Sequence, residues 1–444
     1  MNYLSVENLT KSYGEKLLFQ NISFGIDEGQ KVALIAGNGT GKSTLLNIIM
    51  GLDIPDSGTV TMRNDIRVAY LPQAPQFDPE LSILDVVLTS DNLYVKATRE
   101  YELAVELVNH DPSPVNQRLL SEATTQMDAL AVWDYDSRVK EVLSRLRIGD
   151  LNRKMGTLSG GQVRKAALAR VLIDETNFVI LDEPTNHLDI DMIEWLEEFL
   201  QKQKMALLLV THDRYFLDNV CDEIFELDNC SMYHYDGGYA YFVEKKAERE
   251  AAERLETEKA RNIYRTELEW MRRMPKARTH KSKSRIESFY ELEIKAKRRL
   301  DDVRPEFQVK ERRMGKNILE INNIQKSYEP VGTVIDDFSH IFKRGERVGV
   351  VGPNGSGKTT LFKIIMGEER PDLGSLKTGQ TIVFGYFSQM NPDIKEGKRV
   401  IEVVKDVAEE IVMGNAPSVS ASQFLFYFGF DHNTQYNYYS NLSG

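Results

Sequence analysis

Val32-Ala33-Leu34-Ile35-Ala36 and Phe178-Val179-Ile180-Leu181 are uninterrupted apolar runs. Runs of that length without polar alternation predict short strands buried on both faces. The middle of the chain reads differently. Ala247, Ala251 and Leu255 make a thin apolar stripe at four-residue spacing among Glu, Lys and Arg, which predicts a solvent-exposed helix with little core to bury. Unbroken from Val243 to Met271, that helix would run about 43 Å. Pro275 stops it, and a second charged helix is predicted from near Ser284 to before Gly315. An antiparallel helical hairpin is the natural reading, with a flexible linker as the alternative. Nowhere is there an apolar stretch of about 18 residues, so no helix is expected to span a bilayer.

The chain also repeats itself. Lys11-Ser12-Tyr13 returns as Lys326-Ser327-Tyr328, Ile48-Ile49-Met50-Gly51 as Ile364-Ile365-Met366-Gly367, and Tyr70-Leu71-Pro72-Gln73 as Tyr386-Phe387-Ser388-Gln389. Between them a glycine-rich loop also recurs, with Lys42 and Lys358 lying 316 positions apart. One duplication at so long a period predicts two copies of a domain and no solenoid. The expected division is 1–242 for the first copy, 243–316 for the hairpin and 317–444 for the second copy.

Charge sharpens the reading of the hairpin. The chain carries 56 Lys/Arg and 67 Asp/Glu, net −11, which evenly spread would argue against nucleic acid. Residues 270–316, however, hold 16 basic and 7 acidic side chains, net +9, leaving −20 for the rest. Arg272, Arg273, Lys276, Arg278, Lys281, Lys283 and Arg285 fall in one stretch without an acid. Such a run is commonly only a solvated face. At the tip of a long hairpin in an acidic protein it points to nucleic acid. Cys221 and Cys230 are the only cysteines, too few for a disulfide framework, and suggest a reducing cytoplasm. The first residues lack the basic and apolar regions of a secretory signal.

The buried runs lead into chemistry. A full G-x-x-x-x-G-K-[ST] pattern runs from Gly352 through Pro353, Asn354, Gly355, Ser356, Gly357 and Lys358 to Thr359. In the first copy Ala36 replaces the opening glycine, followed by Gly37, Asn38, Gly39, Thr40, Gly41, Lys42 and Ser43. Such a loop wraps phosphates with backbone N–H groups at the positive end of the following helix. Lys42 and Lys358 would supply charge to the phosphates and Ser43 and Thr359 hydroxyls to Mg²⁺, with Thr44 and Thr360 counted among the ATP-binding residues. The second apolar run delivers Asp182 and Glu183, a carboxylate for Mg²⁺ and a base that could polarise an attacking water.

Leu158-Ser159-Gly160-Gly161-Gln162, 24 residues before Asp182, resembles the signature of ATP-binding-cassette proteins. Glu183-Pro184-Thr185-Asn186-His187-Leu188-Asp189 resembles the extended Walker B and D-loop of the ABC-F subfamily, and Val210-Thr211-His212-Asp213-Arg214-Tyr215-Phe216-Leu217 its switch-histidine segment. Near Trp270 to Arg285 the linker looks most like the Uup branch. The resemblance implies an α/β protein: two P-loop ATP-binding-cassette domains, the second incomplete, joined by a charged α-helical hairpin. Each cassette would carry a helical subdomain, at about 74–170 in the first, with room for a small extra arm. ATP and Mg²⁺ are the implied cofactors. Tyr13 and Tyr328 match the aromatic that stacks on adenine, Gln73 and Gln389 the glutamine loops at the metal, and His212 the catalytic switch; His187 is read as structural.

Leu442-Ser443-Gly444 matches the opening of a second signature, and no second Walker B follows. In cassette proteins each ATP lies between the Walker motifs of one cassette and the signature of the other. Neither composite site is then complete, and a truncated protein with weak turnover is expected, unless two chains pair their first cassettes. The implied function is a cytoplasmic ATPase acting on the ribosome, its hairpin near the tRNA sites on rRNA or tRNA. Alternatives are an ATPase binding structured DNA in replication or repair, and an ATPase subunit of a membrane transporter. The fused pair, Thr185-Asn186-His187 and the missing apolar span all speak against the last.

Overall fold

The computed structural model describes all residues except 15, 38, 89–92, 131–132, 175, 273–282, 298–316, 330–331, 380–381, 389–393, 395–396, 412–417 and 443–444. They fall into two compact units, 1–251 and 252–444.

In the first unit, β1 (Asn2–Tyr13), β2 (Lys16–Asp27) and β4 (Ser57–Met62) form an antiparallel sheet in the order β2-β1-β4. A second sheet holds β3 (Lys31–Ala36), β5 (Val68–Leu71), β6 (Phe178–Asp182), β7 (Ala206–Val210), β8 (Glu223–Asp228) and β9 (Ser231–Asp236) in the order β5-β6-β7-β3-β8-β9. All neighbours are parallel except β9, which runs antiparallel to β8. Every residue of β6 and β7 is buried, as uninterrupted apolar runs require. The strand period of two sorts them onto two cores. Ile180, Leu208 and Leu34 meet α1 (Lys42–Ile49) and the antiparallel sheet. Val179, Leu181, Leu207 and Leu209 face the opposite core. That core draws on α2 (Ile83–Val87), α3 (Leu93–His110), α4 (Pro114–Leu130), α5 (Trp133–Arg145), α6 (Gly160–Ile173), α7 (Ile190–Lys202) and α8 (Arg214–Val220).

The duplication extends to backbone irregularities. In the second unit β10 (Asn317–Tyr328), β11 (Gly332–Lys343) and β12 (Leu373–Thr378) repeat the antiparallel sheet, in the order β11-β10-β12. Asn8 and Asn323 both take positive φ (49° and 46°), and their N–H groups donate to Ser23 Oγ and Ser339 Oγ at 2.8 Å. Gly58 and Gly374 pass so close to these turns that a Cβ would lie 2.4 Å from Asn8 O and 2.3 Å from Asn323 O. With φ of 89° and 88° as well, both positions require glycine.

The copies differ at the central sheet. In the first, β3 is paired on both sides, by β7 and β8. Its counterpart Arg347-Val348-Gly349-Val350-Val351 is not a strand, and Val351 is 75% exposed. Among the described residues of the second unit, no strand lies beside this segment, and a lone strand has no ladder to stabilise it. That unit also holds α11 (Lys358–Met366), α12 (Val400–Lys405), α13 (Ala421–Tyr427), α14 (His432–Tyr436) and a small antiparallel pair, Glu410–Ile411 with Val419–Ser420.

Between the sheets, α9 (Tyr239–Arg272) starts four residues before the expected Val243, because Asp218 Oδ1 accepts the Tyr239 N–H at 2.7 Å after Gly237-Gly238. The compact units divide at 251, inside α9. The cause is a buried cluster: Glu226 on β8 accepts from Lys246 Nζ, from Arg249 Nη1 at 2.8 Å and from the Tyr235 hydroxyl at 3.0 Å. Arg249 also reaches Asp228 at 3.1 Å and lies 3.7 Å from the centre of the Tyr233 ring. The tyrosines at 233 and 235 thus pack the start of the long helix onto β8 and β9.

α10 (Lys283–Lys297) runs back along α9. Arg261 Nε donates to Ala296 O at 3.1 Å, the Tyr264 and Phe289 rings stack at 5.3 Å, and Arg285 Nε and Nη2 pair with Glu267 at 2.9 and 2.8 Å. Contacts that rise along one helix as they fall along the other define the antiparallel hairpin expected from the charge pattern.

Candidate nucleotide site

Parallel order places the carboxyl ends of β5, β6, β7 and β3 side by side, the edge where open α/β sheets bind ligands. Each strand ends in a residue singled out by sequence. Gln73 lies two residues past β5, Asp182-Glu183 end β6, Thr211-His212 follow β7, and the glycine-rich loop follows β3.

The loop enters α1 through Gly41, whose φ of 105° and a would-be Cβ 3.1 Å from Leu18 exclude a side chain. Lys42 Nζ donates to Ala36 O at 2.8 Å and stands 3.4 Å from His212 Nε2. Alanine at the loop's entry therefore still supplies the carbonyl used, since Lys358 donates equivalently to Gly352 O at 2.7 Å. Burial pushes the Lys42 ammonium down, against the pull of Glu183 and Asp182. Asn38 lies outside the described residues.

Burial pushes Asp182 up to about 6, reinforced by the Glu183 charge and opposed by Arg164, Lys42 and His212. Glu183 is held at φ 54°, a strained conformation for a side-chain-bearing residue, by its N–H bond to Val210 O at 2.7 Å. Its Oε1 is buried with no donor within hydrogen-bonding range, His212 Nε2 being 3.6 Å away. Two buried carboxylates, one with an unmet oxygen, suit a cation and a water, so the residues fit MgATP. Ser43, Asp182 and Gln73 would hold Mg²⁺, which screens phosphate charge. Cation binding needs ionised Asp182, whereas a raised pKa favours the neutral acid in the nucleotide-free protein. Asp182 therefore contributes stability that is present at acid pH and lost as pH rises toward 6. MgATP affinity should rise over the same window. The nucleotide's own phosphate titrates nearby, so the readout is wild type against Asp182→Asn at pH 5.5 and 7.5. An equal pH dependence in both proteins would show that Asp182 does not hold the cation.

The signature folds as a capped helix start. Ser159 Oγ accepts the Gln162 N–H at 3.3 Å, while Gln162 Oε1 accepts the Ser159 N–H at 3.1 Å. A Cβ on Gly160 would meet nothing within 4 Å, which leaves the N-terminus of α6 open. Arg164 on this helix belongs to none of the motifs, yet it serves the site. Its buried Nη2 donates to Asp182 O at 2.8 Å and to Glu183 O, joining α6 to the end of β6. A cation near the signature within an apolar helix was its only signal in the sequence. Arg147 also lies outside the motifs; it bonds Asp189 Oδ2 at 2.8 Å.

In the second unit the loop around Lys358 is formed, with Gly357 at φ 92°. Tyr13 and Tyr328 each sit beside the first turn of the helix after a loop, next to Thr44 and Thr360. Gln389, Ser443 and Gly444 lie outside the described residues, as do Arg273, Lys276, Arg278 and Lys281. Arg272 and Lys283 end α9 and begin α10. The Arg285 guanidinium pairs with Glu267 and lies 4.1 Å from the Trp270 ring centre, tying the start of α10 to the end of α9.

A phosphate loop, paired carboxylates and a histidine on adjacent parallel strands define a P-loop nucleotide-binding ATPase. A family model described as ABC transporter matches 19–186 and again 335–444, and a second model of the same description matches 225–309. A Bacillus subtilis (strain 168) protein, "Uncharacterized ABC transporter ATP-binding protein YfmR", is 40% identical over 446 residues, covering 100% of this chain and 70% of its own. "Energy-dependent translational throttle protein EttA" of Mycobacterium tuberculosis (strain ATCC 25618 / H37Rv) is 35% identical, covering 99% and 79%. A solved ATP-binding subunit of an ABC transporter is 24% identical with a TM-score of 0.41, covering 55% of this chain and 93% of its own. The chain belongs to the ABC transporter ATPase family and carries two of its cassettes, domains of ATP-hydrolysing enzymes. No described helix is long and apolar enough to cross a membrane.

Proposed function

We propose that this protein is a cytoplasmic ABC-F ATPase that acts on the ribosome through its basic hairpin. The observation that carries the reading is the antiparallel hairpin of α9 and α10, with the basic run at its turn, placed in the chain between two phosphate loops. The similarity to proteins named for energy-dependent throttling of translation supports it. In the cycle, ATP draws cassettes together, the closed form engages rRNA or tRNA, and hydrolysis releases it. Lys42 binds phosphate, Glu183 takes a proton from the attacking water, and His212 orients that water. Structured DNA is not favoured by these relatives.

The test is co-sedimentation with ribosomes in ATP. Replacing Arg272, Arg273, Lys276, Arg278, Lys281 and Lys283 by Gln should abolish association and flatten its salt dependence, by roughly 0.7–0.9 in log–log slope for each phosphate no longer engaged. Arg285 is left in place to keep the hairpin intact. Unchanged association and slope would make the run a solvated surface only.

A further inference from the structure

Each tyrosine beside a phosphate loop is held by an acid, and the arrangement occurs twice. The Tyr13 hydroxyl donates to Asp53 Oδ2 at 2.6 Å, and the Tyr328 hydroxyl donates to Glu369. Lysines complete both sets. Lys11 Nζ pairs with Asp53 Oδ1 at 2.9 Å and stands 5.1 Å over the Tyr13 ring. Lys326 Nζ pairs with Glu369 Oε1 at 3.5 Å and stands 5.4 Å over the Tyr328 ring. The lysine's carbonyl partner recurs too, Ile54 O at 2.5 Å in one copy and Arg370 O at 3.0 Å in the other. Asp53 and Glu369 hold equivalent positions, so the protein itself contains the Asp-to-Glu exchange with the hydroxyl bond kept.

A tyrosine ring on an exposed surface samples several rotamers unless its far end is fixed. Here the carboxylate fixes the hydroxyl and the lysine stands over one face of the ring; Tyr13 is 55% exposed and Tyr328 half-buried. We propose that Asp53 and Glu369 are positioning residues that orient Tyr13 and Tyr328 as one-faced platforms for the nucleobase. This rests on the reading that these tyrosines stack on the base. It also implies that base recognition here is by stacking area, which every purine offers.

Titration calorimetry can test it in a Lys358→Ala background, so that only the first loop reports, with MgATP and inorganic magnesium tripolyphosphate as ligands. Tyr13→Ala should weaken ATP about tenfold, the usual worth of one stacked base, and leave tripolyphosphate unchanged. Asp53→Ala and Tyr13→Phe should each lose severalfold in ATP affinity with the same selectivity. Asp53→Glu should restore binding to near the background value. If Tyr13→Ala weakens ATP while Asp53→Ala and Tyr13→Phe do not, the carboxylate does not position the ring and the proposal falls. If Tyr13→Ala itself changes nothing, the stacking reading fails. Loss of tripolyphosphate binding in Asp53→Ala would make Asp53 a structural support of the loop and would equally overturn it.

Discussion

Replacing Glu183 by Gln should slow ATP hydrolysis by roughly 10²–10⁴-fold, the usual cost of removing a general base, while nucleotide binding persists. Gln keeps the volume and the backbone that holds φ at 54°, but its amide cannot take a proton. The carboxylate's Oε1 has no donor within hydrogen-bonding range, so the exchange removes chemistry and little packing. The measurement is phosphate release at saturating MgATP. Under the proposed cycle the Glu183→Gln protein should also accumulate on ribosomes. Wild-type turnover in the variant would place the base elsewhere.

Strands β3 and β6 were legible because a parallel sheet buried on both faces requires uninterrupted apolar runs. The phosphate loops were legible because glycine is needed where φ exceeds 90° at Gly41 and Gly357. The hairpin showed through its charge pattern. Other features depend on pairs distant in sequence and leave no local trace. Glu226 and Arg249 anchor the long helix to β8 through contacts that composition alone reads as two more surface charges. Arg285 lies in the basic run, and its pairing with Glu267 and the Trp270 ring likewise joins residues distant in sequence. The segment 347–351 has the apolar pattern of a strand, but pattern does not supply the neighbours that a strand needs.

Arg164→Met should destabilise the first unit by about 3–5 kcal/mol, the usual cost of stripping one partner from a buried charge cluster. Methionine fills a similar volume, so the loss isolates what the guanidinium does. It donates to two successive carbonyls at the end of β6, Asp182 O and Glu183 O, from a position four residues after the signature's Gly160. Without it, those carbonyls lose a buried donor. The Asp182 and Glu183 carboxylates also lose the cation that now lowers Asp182 against burial, so Asp182 should titrate at still higher pH than about 6. Lysine would restore the charge but not the fork, and Arg164→Lys should recover the titration more than the stability. Urea unfolding of nucleotide-free protein measures the first effect, and the pH dependence of MgATP binding the second. Hydrolysis should fall further than occupancy of the folded state explains, because the same side chain sets the distance between the signature helix and the catalytic carboxylates. A stability loss below about 1 kcal/mol, within the range of an ordinary surface change, would mean that the signature helix and the strand end are held together by apolar packing alone.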